Sequence, residues 1–445
     1  MGTMHEHQDE TLALRRAMVD RLELLGLLHL PAVTEAFRAV PRHLFVPGVE
    51  LTTAYSDIPI VTRWQEGQAI SSSSAPSVMA IMLEMLKLRP GQRVLEIGAG
   101  TGYNAALMAR IVGEQGQVVT VDLDEDIVLD ARAHLQVAGS KNVQVICGDG
   151  GLGYAAQAPY DHIIFTVSAA DIPAALRAQL RPGGRLVVPF QALAFQSKLA
   201  ELPQLPDQFL LAFTWTGTHF EALDMRPCGF MVLRGDFAQQ MQQVSNAGSA
   251  NGLSALLPSG IDAPGFFQLL GVPASMEATA VHLAFQEVYG LRLWLALREP
   301  QFCEVYVPEE VASDAIPAQL RRDKSFAAAI GLCSEQTVCL LSVQEEESGQ
   351  PEDQKRPFKL IIRRFGPDQS LTERLRATIS SWEQAGHPFV WGFDARMKNL
   401  TLRAYPPETS YTAQPYDTVL TRRDTRFVFT PQAASAPPAN TGASS

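Results

Sequence analysis

The side chains best equipped for chemistry in this chain lie between positions 94 and 150. Val94-Leu95-Glu96-Ile97 is an apolar run holding one acid. It leads into Gly98-Ala99-Gly100-Thr101-Gly102 and then a helix-like stretch from Tyr103. Glycine at every second position permits a tight turn and lets a ligand approach the backbone and the following helix N-terminus. The dinucleotide fingerprint would place its third glycine one residue later, where Tyr103 stands. Asp122 closes the run Val118–Val121, about twenty residues beyond the glycines. A carboxylate there accepts hydrogen bonds from the ribose hydroxyls of an adenosine-type ligand. A third acid, Asp149, stands between Gly148 and Gly150 after the next run, placed to accept from an exocyclic adenine amine. Each acid alone reads as a cap or a surface residue. The three acids with the glycine turn read as a ligand crevice at the C-terminal ends of successive strands.

The elements that must position these groups follow from periodicity. Residues 10–40 have helix-like apolar spacing at Leu12, Leu14, Met18, Leu22 and Leu25. From 91 onward short apolar runs (Arg93–Ile97, Val118–Asp122, Val143–Ile146, His162–Thr166, Arg185–Pro189) alternate with helical stretches near 103–113, 125–138 and 172–180. That alternation predicts an α/β fold with a parallel sheet covered on both faces. Pro182-Gly183-Gly184 reads as a turn into the fifth strand, and Phe209–Thr216 and Gly229–Arg234 as further strands. Ser245–Gly265, rich in Ser, Asn, Ala, Gly and Pro, marks a boundary. Beyond it, Phe302–Val307, Gln336–Val343, Phe358–Arg363 and Asn399–Ala404 resemble strands, and Leu371–Gly386 an amphipathic helix. Glu345–Pro357 reads as a solvated insertion. The expected organisation is a first domain at 1–240 (helices 10–90, sheet 91–240), a linker at 241–265, a C-terminal α+β domain at 266–430 and a disordered tail at 431–445.

Composition narrows the partners. With 445 residues, 46% hydrophobic and 19% charged, the chain is an ordinary globular one. Its 36 basic and 47 acidic residues leave a net charge of −11, the wrong sign for tracking a phosphate backbone, which argues against nucleic acid. No apolar run has the ~20 residues of a membrane span, and the start has no leader-like pattern, so a soluble, cytoplasmic protein is expected. The five cysteines include no CxxC pair and read as free thiols.

Over residues 30–235 the sequence resembles the protein-L-isoaspartate O-methyltransferases, which use S-adenosylmethionine. The likeness is carried by Ala36-Phe37, Val40-Pro41-Arg42, Phe45-Val46-Pro47, Ala54-Tyr55-Ser56-Asp57-Ile58-Pro59 and Gly67-Gln68-Ala69-Ile70-Ser71. It continues through residues 94–109, Gly148-Asp149-Gly150, Ala158-Pro159-Tyr160-Asp161 and Gln179–Leu186. The resemblance implies a doubly wound, mostly parallel Rossmann-like domain. Glu96, Gly98, Gly100, Gly102, Asp122, Asp149 and Gly150 would hold S-adenosylmethionine, and Ile58, Pro59 and Thr166 the protein or peptide substrate. Where the family has Gly-Gln-Thr-Ile-Ser followed directly by Gln-Pro, this chain runs Gln68-Ala69-Ile70-Ser71-Ser72-Ser73-Ser74-Ala75-Pro76, three residues longer. The right flank aligns Ser74 with the family's active-site serine and the left flank aligns Ser71. Ser-x-Pro opening the helix Pro76–Leu88 favours Ser74. The serine run and about 200 extra C-terminal residues also look like a divergent branch encoded beside ribosomal peptide biosynthesis genes, whose members esterify aspartate in a modified peptide that can close to an aspartimide. The extra domain would then be a peptide-recognition or assembly module; a second alternative is a methyltransferase fold that has lost activity and serves as a binding adaptor.

Methyl transfer to a carboxylate needs no general base, because a group with pKa ~4 is already ionised at pH 7. The protein must supply proximity, alignment and removal of water. Ser74, Ser71 and backbone donors would orient the acceptor, with Thr166 and Ser168 beside it. Other candidates have plainer readings: His5-Glu6-His7 as a tail, Trp294, Trp382 and Trp391 as partly core, and Arg363-Arg364 as a solvated strand edge.

Overall fold

The computed structural model describes residues 2–193, 208–238, 247–248, 253–258, 260–308, 320–321, 326–345, 358–391 and 397–432. The N-terminal part contains helices α1 (Gly2–Leu24), α2 (Pro31–Ala39), α3 (Leu51–Ala54) and α4 (Pro76–Leu86), with a hairpin of β1 (Ile60–Gln65) and β2 (Gln68–Ser73) between α3 and α4. The helical stretch expected over 10–40 is divided at Gly26, whose φ of 66° follows the end of α1, and resumes at Pro31, a residue suited to a first helical turn. The hairpin falls where only helices were expected, and its second strand carries Ser71, Ser72 and Ser73.

The strand–helix alternation is present: β3 (Arg93–Ile97), α5 (Tyr103–Val112), β4 (Gln117–Asp122), α6 (Glu125–Val137), β5 (Val143–Cys147), β6 (Tyr160–Phe165), α7 (Ala174–Gln179) and β7 (Leu180–Gln191). Pro182-Gly183-Gly184 lies inside β7, at a register shift against β6, instead of preceding the strand. Next come β8 (Gln208–Trp215) and β9 (Phe220–Cys228), and residues 229–234 run on past β9 with only an isolated bridge at Val232. The strands β7-β6-β3-β4-β5 are parallel neighbours. Their side chains alternate between two buried faces. Val94, Val118, Ile164 and Val187 pack under α1, α2, α4 and α5, while Leu95, Val119, Ile163 and Leu186 face the other way.

The C-terminal half contributes β10 (Ala247–Gly248), β11 (Ser254–Leu256), α8 (Ala263–Leu270), β12 (Ser275–Leu283), α9 (Phe285–Arg298), β13 (Phe302–Pro308), β14 (Leu320–Arg321), β15 (Phe326–Cys333), β16 (Val338–Glu345), β17 (Phe358–Phe365), α10 (Gln369–Gln384), β18 (Val390–Trp391), β19 (Met397–Lys398), β20 (Leu400–Tyr405), β21 (Thr418–Thr421) and β22 (Arg426–Pro431). An antiparallel sheet runs β10-β11-β13-β15-β16-β17-β12. The strip expected to be a linker therefore supplies β11 to this sheet, paired with β13.

The expected boundary at 266–430 also needs correction. Strands β20, β22 and β21 leave the second sheet and extend the first, through β20 pairing with β9, so that the first sheet has ten strands. One buried cluster joins Phe190 and Phe213 of the first sheet to Trp294, Trp382 and Phe427, and the Phe190 and Phe427 rings lie 4.4 Å apart. The physical reason is the apolar second face of the first sheet, which needs a cover; α9, α10 and the returning strands provide it. Trp294 and Trp382 are core, and the side chain of Trp391, the His5-Glu6-His7 side chains, residues 346–357 of the insertion and residues 433–445 of the tail lie outside the described residues. No helix among the described residues is long and apolar enough to cross a membrane. All five cysteines are free thiols.

Candidate active site

The glycine turn closes directly on β3. Gly98 has φ +96° and Gly100 φ +50°. A Cβ at Gly98 would stand 2.4 Å from Thr166 Oγ1, and one at Gly100 would stand 3.1 Å from the Ser72 carbonyl. The first contact leaves no room for a side chain, and both conformations favour glycine. Gly102 caps α5. The Thr166 hydroxyl donates to the Ile97 and Gly98 carbonyls at 3.0 and 2.6 Å, so it fastens the turn.

A cavity of about 760 Å³ opens above this turn. Its floor is Glu96, Gly98, Ala99, Gly100, Thr101 and Asp122, one wall is Ser71, Ser72, Ser73, Ser74 and Pro59, and the other is Thr166, Val167, Gln191, Gln208 and Cys228–Met231. Asp122 Oδ2 accepts from Gly100 N at 3.1 Å, and burial lifts the carboxyl's pKa above its ordinary value. Glu96 is fully buried; its Oε1 accepts from Asn104 Nδ2 at 2.8 Å while Oε2 has no partner. Burial pushes its pKa from the usual 4.5 to about 7, against the pull of the Asn104 bond. Asn104 Oδ1 and the Tyr103 hydroxyl are likewise buried without partners, and all three residues line the cavity. Orphaned polar atoms of this kind mark a place where a ligand supplies the missing bonds.

The serine strand is held from behind. Arg42, fully buried, donates to the carbonyls of Ser56 (3.0 Å), Ile58 (3.3 Å), Ser73 (3.3 Å) and Ser74 (2.9 Å). Ser71 Oγ accepts from Thr62, and Ser73 Oγ lies 3.5 Å from Arg42. The Ser74 hydroxyl makes no hydrogen bond among the described residues and lines the cavity just before α4. Two ion pairs, from Arg63 to Asp126 and to Asp130, latch the hairpin to α6.

The expected residues thus converge on the cavity, except for Ile58, Gly102, Asp149, Gly150 and Ser168. Ile58 sits at the rim, 48% exposed, and it is Pro59 that enters the wall. Asp149 and Gly150 stand outside the cavity: the Asp149 carboxylate accepts from Gly151 N (2.8 Å) and Asp236 N (2.7 Å), and a Cβ at Gly150 would stand 2.4 Å from the Ile97 side chain. Ser168 is fully buried and bonded to Gln208. Sequence reasoning did not find Gln191, Gln208 or Cys228–Met231. They belong to no local motif and reach the site only through strand pairing, with Ser168 N donating to Met231 O at 2.7 Å.

Five parallel strands, a left-handed glycine turn after β3 and an acid closing β4 define a Rossmann-like domain with a nucleotide-type ligand site. A sequence model of the protein-L-isoaspartate(D-aspartate) O-methyltransferase family matches residues 13–207. Protein-L-isoaspartate O-methyltransferase 2 of Archaeoglobus fulgidus is 49% identical over 157 residues, 35% of this chain and 69% of that relative. The enzyme of Ignicoccus hospitalis is 39% identical over 197 residues, 44% of this chain and 91% of the relative. A solved protein-L-isoaspartate O-methyltransferase overlays with a TM-score of 0.47 at 22% identity, covering 87% of this chain and 96% of its own. The chain belongs to the protein-L-isoaspartate O-methyltransferase family.

Proposed function

We propose that the protein transfers a methyl group from S-adenosylmethionine to the free α-carboxylate of L-isoaspartyl residues in proteins or peptides. The observation that carries this reading is the single cavity running from the glycine turn and Asp122 to the unbonded Ser74 hydroxyl. The residues present fit the cofactor: Asp122 offers a carboxylate at the ribose position, and Glu96 and Asn104 offer buried acceptors without partners. When bound there, the cofactor supplies an electrophilic methyl group on a sulfonium. Glu96, Gly98, Gly100 and Asp122 would hold it, while Gly102, at the start of α5, and Asp149 and Gly150 lie outside the cavity.

The chain's own residues then do three things. Ser74 donates to the acceptor carboxylate and points one oxygen along the transfer line. Pro59, Val61, Ile70, Val167 and Met231 exclude water, which removes the hydration shell of the nucleophile. Arg42 keeps the Ser73–Ser74 backbone in place. No base is required, since the carboxylate oxygen attacks in its ionised form and the product is a methyl ester.

The C-terminal half would select the substrate. The longer serine strand and this half favour a finer reading, in which one aspartate of a ribosomally made peptide is esterified and the following backbone nitrogen displaces methanol to give an aspartimide. Methyl incorporation from labelled S-adenosylmethionine, compared between an isoaspartyl peptide and its aspartyl isomer, tests both. Label on the isoaspartyl peptide alone supports the broad reading. Label on an aspartyl peptide, with loss of methanol, supports the finer one. Label on neither refutes methyl transfer to these acceptors.

A further inference from the structure

Residues 229–231 line the cavity wall, and residues 232–238 continue from that wall away from the cavity. Leu233 N donates to Ser168 O at 2.8 Å, tying the segment to the loop after β6. Arg234 pairs with Asp124, two residues past Asp122 at the start of α6. Asp236 N donates to Asp149 Oδ2 at 2.7 Å, and the Phe237 ring lies so close on Gly151 that an added Cβ there would stand 2.2 Å from it. The segment therefore bridges the ends of β6, β4 and β5, the strands whose ends surround the glycine turn.

From nearly two hundred residues further along the chain, the turn between β21 and β22 reaches the same place. The Arg423 guanidinium lies 4.4 Å from the Phe237 ring centroid. Its turn is pinned on both sides: Asp424 N donates to Asp171 Oδ2 (2.7 Å), Thr425 Oγ1 to Ile172 O (2.9 Å) and Arg422 Nη2 to Ala192 O (2.9 Å). Arg177 Nη1 donates to Asp424 O at 2.9 Å. A side chain on so fixed a turn is presented, not merely tethered.

We propose that residues 229–238 are a strap retaining the cofactor and that Arg423 is the positioning residue holding Phe237, and with it the strap, closed. The inference rests on the reading that S-adenosylmethionine binds at the glycine turn. A ligand held against the Gly229–Met231 wall is released when that wall moves, and Leu233, Arg234, Asp236 and Phe237 anchor the wall from the segment that continues it. Stacking of a cation on an aromatic ring opposes that movement. The C-terminal half thereby reaches the cofactor end of the site without contacting the reacting atoms.

The test is calorimetric binding and stopped-flow release of S-adenosylhomocysteine with the full-length chain. The variants are Arg423→Ala, Phe237→Ala, both together, and Arg426→Ala. Arg426 lies on β22 and donates to Thr409 O and Pro407 O (2.8 and 2.7 Å), so its loss weakens the same hairpin without touching Phe237. Arg423→Ala should raise Kd and the release rate by roughly two- to fivefold, the range of an exposed cation–π contact, since the Arg423 side chain is 61% exposed. In turnover the loss should appear in the cofactor KM, not in kcat. The double variant should bind no more weakly than the poorer single one, and Arg426→Ala should bind as wild type does. Wild-type release kinetics in Arg423→Ala, additive losses in the double variant, or an equal loss in Arg426→Ala would each overturn the proposal. If Arg423→Ala does not fold, Arg423→Gln is held to the same criteria. Failure of the wild-type chain to bind S-adenosylhomocysteine is a separate result, which refutes the cofactor reading itself.

Discussion

Glu96→Gln probes the charge at the centre of the site. Glu96 is fully buried, and burial raises its pKa from the usual 4.5 to about 7. The unfolded chain releases this proton near pH 4.5, whereas the folded chain keeps it until about pH 7, so folding takes up a proton in that window. Below the window the group leaves stability unchanged. Through it, stability falls with rising pH by about 1.4 kcal/mol per pH unit, and above it the loss levels off at about 3 kcal/mol. Glutamine resembles the protonated acid and does not titrate. The stability of Glu96→Gln minus that of wild type should therefore widen by about 3 kcal/mol across the window and stay flat on either side. Urea unfolding of the ligand-free proteins, run as a pair at each pH, cancels the other titrating groups. A difference that does not change with pH refutes the burial argument. Cofactor binding should show the opposite trend. A cationic ligand favours ionised Glu96, so wild-type affinity should rise with pH through about 7 while that of Glu96→Gln stays level.

Asp122→Ala should weaken S-adenosylmethionine binding by roughly 1–3 kcal/mol, the scale of a charge-assisted hydrogen bond, and unchanged calorimetric affinity would remove Asp122 from the ribose role. Ser74→Ala should lower turnover by on the order of tenfold or more with little change in cofactor affinity, because its hydroxyl is unbonded until the acceptor arrives. Ser71→Ala, which loses a contact with Thr62, should act mainly on the hairpin; the reverse ranking of the two variants would assign the acceptor to Ser71. Truncation after Gly248 removes β20, β22 and β21 from the first sheet together with the Arg422–Thr425 contacts. The shortened chain should aggregate or melt well below the full chain, and a stable soluble fragment with wild-type cofactor affinity would show that the returning strands are dispensable.

Local sequence carried the centre of this protein. Apolar runs, most of them buried on both faces, with amphipathic stretches after β3, β4 and β6, can form little else than β3–β7 with α5, α6 and α7, because strand and helix periods are local properties of the chain. The glycine turn was legible for the same reason: the backbone itself needs glycine at 98 and 100, so the requirement is written in residue type. Glu96 and Asp122 were legible because they close or interrupt apolar runs, where a charge has no structural reason to be.

What the tertiary structure decided was everything joining residues distant in sequence. The hairpin carrying the serines was not visible as strands, since Ser71–Ser73 has neither β-branched residues nor apolar alternation; its position depends on Arg42 and on two ion pairs to α6. Asp149 reads by spacing as a ligand group, yet its oxygens are engaged by Gly151 and Asp236, a partner 87 positions away. The C-terminal half reads by composition as a separate module, but periodicity reports only that a strand is buried, not which sheet it joins. The exposed apolar face and free edge of the first sheet drew β20, β22 and β21 back across about 170 residues, and with them Arg423 onto the Phe237 ring. Such pairings are chosen by the area buried and the edge satisfied once the chain is compact, and neither quantity exists in a linear sequence.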